Sequence, residues 1–175
     1  MIWLLAMKGL PGVGKSTLAR ALSRELAWPL IDKDDVNARL HARGITANGP
    51  AYDVMLALVD RQLAQGLSVV CDSPLLRPTY ENISALAASR RAPLAVIECY
   101  CSDETLWRER LQTRVGAQLP AHRIANWEAL RSYRQRHPDA AYPITGYHLL
   151  VDTAQPLPSL TARTLDWLRR LDVES

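Results

Sequence analysis

The sequence predicts an α/β fold, a three-layer sandwich built on a five-stranded parallel sheet. Two observations carry this. Short apolar runs alternate five times with segments whose apolar residues recur every three to four positions, the pattern of buried strands joined by crossover helices. A glycine-rich stretch, residues 9–14, stands between the first run and the first helical stripe. Sheets of this kind bind ligands beyond the carboxyl ends of their strands, so the residues after each strand are where chemistry is sought.

Residues 2–7 read as the first strand, apolar throughout and so buried on both faces. Residues 16–26 follow as a helix with Leu18, Leu22 and Leu26 on one stripe. Residues 28–32 give a second strand, 36–41 a short helix and 44–50 a loop of turn-forming residues. A longer helix over 51–65 closes at Gly66, residues 67–72 form the third strand, and 78–89 a helix with Pro78 in its first turn. The fourth strand covers 94–101 and runs into a helix over 103–114. Residues 116–120 break the chain, 126–136 return to helix, and 147–152 form the fifth strand. A last helix over 160–171 sets Leu160, Thr164, Leu168 and Leu171 along one stripe. No repeat, low-complexity tract or linker interrupts this order, so residues 1–175 are expected to form one domain, with about residues 114–137 as a lid insertion.

Composition narrows the class. A 175-residue chain that is 48% hydrophobic and 22% charged is neither disordered nor fibrous. Three cysteines, Cys71, Cys99 and Cys101, are too few for a disulfide framework and point to reduced core thiols. The longest apolar run, residues 2–7, falls far short of the roughly 20 residues that cross a bilayer and is not preceded by a basic segment. A cytoplasmic protein without a membrane partner is expected. The net charge of +3 is uneven: residues 106–137 carry seven arginines against two glutamates, leaving the remainder acidic. A solvated helical face accounts for most such runs; a surface that meets a polyanion is the sharper alternative.

The motifs supply the chemistry. Gly9-Leu-Pro-Gly-Val-Gly-Lys-Ser-Thr17 matches G-x-x-x-x-G-K-[ST] in full, after a strand and before a helix. Glycines let such a loop turn its amides inward as a concave anion site, and the following helix adds the positive end of its dipole. Gly9, Pro11, Gly12, Val13, Gly14, Lys15, Ser16 and Thr17 are therefore expected to hold a nucleotide, with Lys15 on its β- and γ-phosphates and the Ser16 hydroxyl on Mg²⁺. No N-K-x-D base-reading motif follows a later strand, which argues against a GTPase. Asp72-Ser73-Pro74 ends the third strand with a single acid. Asp72 can support the metal, but no neighbouring glutamate offers to activate water, as a hydrolytic motor needs.

The second strand ends in Asp32-Lys-Asp-Asp-Val36. Phosphoryl transfer requires an aligned acceptor oxygen and neutralised charge on the moving group. Asp34 or Asp35 can accept the acceptor's proton, the other capping the next helix. Arg110 and Arg114, one helical turn apart, can close over phosphate oxygens. Tyr52 opens the helix that would border the acceptor; Trp3, Trp107 and Trp167 read as packing, and His122 as a solvated lid residue.

Together, residues 8–18, 29–36, 66–74 and 151–153 resemble the predicted P-loop kinases related to polynucleotide, gluconate and adenylylsulfate kinases and zeta toxins. The resemblance implies a nucleoside-monophosphate-kinase-like sheet, ATP and Mg²⁺ as cosubstrates, an acceptor-facing aspartate after strand two and an arginine-bearing lid. It favours Asp34 as base, with Arg110 and Arg114 over the phosphates. Relatives read Asp-x-apolar-Arg here, and Asn37 stands where their arginine would be, so Asp35, Asn37 and Tyr52 are the residues that would set acceptor recognition. The expected activity is transfer of the ATP γ-phosphoryl group to a hydroxyl of a small molecule. A polynucleotide 5′-kinase is the alternative, favoured by the basic lid but opposed by the small net charge. A nucleotide-sensing module without an acceptor is the non-enzymatic one.

Overall fold

The computed structural model describes residues 1–116, 124 and 126–174, without the side chains of 114–116, 139 and 172–174. Five strands form one parallel sheet in the order β2-β3-β1-β4-β5: β1 (Leu4–Lys8), β2 (Leu30–Asp32), β3 (Val69–Asp72), β4 (Leu94–Tyr100) and β5 (Tyr147–Asp152). The chain leaves β1 towards β2 and returns through β3 before crossing to β4. The sequence therefore reverses its direction across the sheet beside β1, which is where a crevice opens.

Alternation along β1 fills both sides of the sheet. Leu5 and Met7 face α1 (Lys15–Leu26) and α7 (Leu157–Glu174), joined by Leu18, Leu22, Leu160 and Leu168. Leu4 and Ala6 face α3 (Gly49–Ala64) and α4 (Arg77–Ser89), joined by Met55, Val59 and Ile83. These two apolar layers make the expected three-layer sandwich. Burial of a large aliphatic side chain stabilises by roughly 1.5–3 kcal/mol, so each layer is a substantial fastening.

Several boundaries differ from the reading of the sequence; β1 and β2 both start two residues later than expected. α2 spans Lys33–His41 and starts directly on the end of β2, because the Asp32 side chain accepts the Asp34 N–H at 2.8 Å. Asp32, and not Asp34 or Asp35, is the cap. α3 begins two residues early at Gly49, with Pro50 in its first turn, where a missing N–H costs nothing. β3 starts at Val69, two residues later than expected. α7 extends at both ends of the expected stripe, and Leu160, Thr164, Leu168 and Leu171 on it are all buried.

α5 (Glu104–Gly116) and α6 (Trp127–Arg136) follow β4. The Asn126 side chain caps α6 by accepting the Ala129 N–H at 2.8 Å. Leu130 anchors α6 in the α1-side layer, and the Trp127 ring meets Trp107 of α5 edge-on at 5.3 Å. Of the expected break at 116–120, Gly116 is instead the last residue of α5, and 117–120, with His122 and Arg123, lie outside the described residues. Among those described, no helix is long and apolar enough to cross a membrane.

Candidate active site

The loop between β1 and α1 is shaped by contacts on its outer side. Gly12 has a φ of +79°, and a Cβ there would sit 2.6 Å from Leu111 of α5, so only glycine fits. The Trp107 indole N–H donates to the Pro11 carbonyl at 2.9 Å. The Val13 carbonyl accepts from the Thr153 hydroxyl and, at 3.4 Å, from Arg110. These bonds occupy the Pro11 and Val13 carbonyls, and the Val13 N–H donates to Leu10 O at 3.4 Å, so the loop is held in a tight turn of the kind whose remaining amides bind anions. Gly14, at φ +99°, caps α1 without any side chain, leaving the helix's first N–H groups for a ligand. Lys15, buried at the start of α1, rests its ammonium on the Leu10 carbonyl at 3.2 Å.

A cavity of about 530 Å³ opens over this loop. It is lined by Gly12, Gly14, Lys15, Ser16 and Thr17 from the loop, and by Asp34 and Asp35 of α2 from across the crevice. Arg110 and Thr153 close the far side. Sequence-expected groups from three distant segments are thus in one cavity. Gly9 and Val13 face a different cavity, and Pro11 lines neither.

Two acids lie at adjacent strand ends. Asp32 and Asp72 are register partners on β2 and β3. Both Asp72 oxygens are enclosed and lack a hydrogen-bond partner among the described residues. Burial pushes this carboxyl upward, and Lys15 and Ser16 nearby oppose the rise. Asp32 is pushed up to about 7, first by burial and then by the Asp72 charge, while its bond from the Asp34 N–H acts the other way. Its second oxygen lies 3.9 Å from Arg20. Buried, unbonded carboxylate oxygens beside a serine hydroxyl suit a hard divalent cation, which prefers oxygen and keeps several of its places for water and phosphate. The residues present fit Mg²⁺.

Asp34 is half-buried, and its Oδ1 is held by the Lys33 ammonium at 2.6 Å. Lys33 in turn lies over the Tyr52 ring at 5.5 Å. Tyr52 thereby stands one residue behind the acid rather than in the cavity lining. Asn37 also points away from it: its side chain is buried and donates to Asn48 Oδ1 at 3.4 Å, while its own Oδ1 has no partner. Asp35 is exposed at the cavity. The Arg114 side chain lies outside the described residues.

Arg110 is more tied than the lid reading expects. It donates to Thr153 O at 2.8 Å and to Thr153 Oγ1 at 3.2 Å, besides the Val13 carbonyl. Sequence reasoning missed Asp32, Arg20, Thr153 and Gln155, all of which line this cavity. Thr153 and Gln155 follow the carboxyl end of β5, so the strand-end rule applied to the fifth strand would have found them. Trp107, read as packing, is also a hydrogen-bond donor to the loop.

Residues 4–137 match the family model described as an AAA domain. Among solved structures, a provisionally named kinase of Chloroflexus aurantiacus shares 23% identity, with 97% of each chain covered and a TM-score of 0.76. A gluconokinase from Sinorhizobium meliloti shares 24%, over 97% of this chain and 93% of that one, with a TM-score of 0.64. A sugar kinase from Janibacter shares 18%, over 97% and 95%, with a TM-score of 0.69. No curated protein matches the chain.

Proposed function

The chain belongs to the AAA-domain family, and on that premise we propose that it is an ATP-dependent kinase that phosphorylates a hydroxyl of a small molecule. The carrying observation is that one cavity holds both Lys15-Ser16 at a helix N-terminus and Asp34 opposite them. The names of the structural neighbours, a gluconokinase and a sugar kinase, favour a polyol-type acceptor. A transferase is favoured over a hydrolase because Asp72 is followed by Ser73 and Pro74, with no glutamate beside it to activate water.

In this reading the loop amides and the α1 N-terminus receive the β- and γ-phosphates. Lys15 exchanges the Leu10 carbonyl for phosphate oxygens, a stronger, charge-assisted bond. Ser16 and Asp72 would hold Mg²⁺, which supplies charge neutralisation to the triphosphate. The acceptor oxygen forms a bond to the γ-phosphorus as the bond to the bridging β–γ oxygen breaks, its electron pair leaving on ADP. The hydroxyl proton passes to Asp34, whose Oδ1 is fixed by Lys33 so that its other oxygen is available. Arg110 braces the loop beside the phosphates through its bonds to Val13 and Thr153.

The test is ³¹P NMR of ATP·Mg²⁺ with the protein and a panel of polyols, sugars, sugar acids and 5′-hydroxyl oligonucleotides. A new phosphomonoester with stoichiometric ADP is expected, and it is lost in Asp34→Asn. Transfer only to oligonucleotides would replace the acceptor, and binding of ATP with no transfer to anything would replace the enzyme by a sensor.

A further inference from the structure

The phosphate loop has a second cavity on its other side. It measures about 340 Å³ and shares Gly9, Leu10 and Val13 of the loop as a wall, a size in the range of small-molecule sites. Its floor is Lys8, the last residue of β1, and its rim carries Arg134 and His137 from α6 and its C-terminus. Apolar surface comes from Leu10, Pro74 and the Tyr133 ring, which stacks on His137 at 4.3 Å.

Lys8 is only 4% exposed, and a lysine is rarely buried without a reason. Its ammonium pairs with Glu98, the register partner on β4, and faces the Tyr142 ring at 5.0 Å. An ammonium has three donors. Glu98 takes one and the ring face a second, which leaves the third for whatever occupies the cavity. Glu98 itself has little left to offer, since its Oε2 is bonded to His148 Nε2 at 3.0 Å. Arg134 makes no hydrogen bond or ion pair with a described residue. The cavity is therefore lined by the Lys8–Glu98 pair, by a guanidinium without a partner among the described residues, and by apolar walls.

We infer that this second cavity binds a small organic anion, a carboxylate or phosphate monoester with a compact apolar body, gripped between Lys8 and Arg134. Glu98, which also lines the cavity, balances the Lys8 charge, so preference for an anion over a neutral analogue comes from the one excess cation, Arg134. Asp34, the proposed base, lines the first cavity and not this one, so the bound anion is an effector that acts through the shared loop, and the inference does not rest on the kinase reading.

The test uses hydroxylated anions paired with neutral counterparts: 4-hydroxyphenylacetate against its amide, and glycerol 3-phosphate against glycerol. Binding is followed by amide chemical shifts of Gly9, Leu10 and Tyr100, with a non-hydrolysable ATP analogue and Mg²⁺ present to occupy the first cavity. At least one anion is expected to bind ten-fold or more tightly than its neutral counterpart, and Arg134→Gln to weaken it by about 5-fold or more. Lys8→Met is expected to abolish it, but strands Glu98 and can unfold the protein, so the exposed Arg134 variant is the deciding one. Equal affinity for charged and neutral members, an unchanged affinity in Arg134→Gln, or no anion bound overturns the inference. Nucleotide titration separates the two readings. Lys15→Ala is expected to lose the ATP analogue and keep the anion, whereas a wild-type protein that ignores ATP but binds the anion defeats only the kinase reading. ³¹P spectra with ATP are expected to leave the anion intact, and its phosphorylation would overturn the effector role.

Discussion

Lys15 and Lys8 stand seven residues apart at opposite sides of one loop, both buried, and they have been made useful in different ways. Among the described residues Lys15 hydrogen-bonds a backbone carbonyl, a weak hold that a phosphate displaces, with the Asp72 carboxyl near enough to feel its charge. Lys8 is paired with a carboxylate contributed from 90 residues away. The first lysine belongs to a phosphate loop that is one continuous stretch of chain, although α2, α5 and the end of β5 complete its cavity, whereas the second sits in a site that exists only after β4 and α6 have docked. Local sequence builds an anion site out of main-chain amides, whereas selectivity for a second ligand is assembled from distant side chains.

The largest effect that sharpens this contrast comes from Lys15→Ala. It removes the loop's own cation from the nucleotide side and is expected to weaken ATP·Mg²⁺ by about 100-fold, the worth of a buried charged hydrogen bond. Thermal shift with and without ATP·Mg²⁺ checks it; a ligand-induced rise in Tm equal to wild type would show that the loop binds without its lysine. Asp34→Asn ranks with it in rate but not in binding. A loss of general base lowers turnover by about 10²–10⁴-fold, with nucleotide affinity within about 2-fold, read from single-turnover transfer and a parallel binding curve.

Asp32→Asn tests the strand-end acids through pH. The Asp32 carboxyl is pushed from 3.8 to about 7 in the fold, so the folded state binds a proton that the unfolded state has already released. This group's contribution is present below pH 4 and is lost as pH rises through 7, a change of up to about 4 kcal/mol. Urea unfolding across that window should show wild-type stability falling with pH by more than that of Asp32→Asn, and Mg²⁺·ATP should oppose the fall by favouring the ionised acids. Parallel pH profiles for the two proteins would mean that Asp32 titrates normally.

Trp107→Phe is the smallest change and the most specific. It keeps an aromatic ring against Leu111 and Trp127 but removes the donor to the Pro11 carbonyl. The expected cost is about 1 kcal/mol, read as a roughly 5-fold rise in the nucleotide Kd with little change in Tm. A drop in Tm without a change in Kd would make Trp107 packing alone, as the sequence suggested.

What could be seen in the chain before its structure follows the same division. The five strands and the phosphate loop were legible because their signals are local: apolar runs, glycine spacing, and a helix stripe beginning at Ser16. The start of α2 was not, because the residue that caps it, Asp32, looks like the end of a strand until the Asp34 amide is seen on its side chain. The placement of Asn37 was likewise hidden. Spacing aligned it with an acceptor-gripping arginine, yet in space it turns inward to Asn48 of the following loop. Helical spacing and the family resemblance set Arg110 over the phosphates as an expectation. Its bonds to Thr153 depend on β5 lying beside β4, which no window of sequence contains.

The claim on which everything else stands is that amides at the start of α1, with Lys15, hold the triphosphate of ATP. Isothermal titration of the folded protein with ATP·Mg²⁺, beside Lys15→Ala, measures it most directly. Saturable one-to-one heat is expected for the wild type, reduced about 100-fold in affinity for the variant. Flat heats from the wild type, or equal affinities for the two proteins, would contradict it.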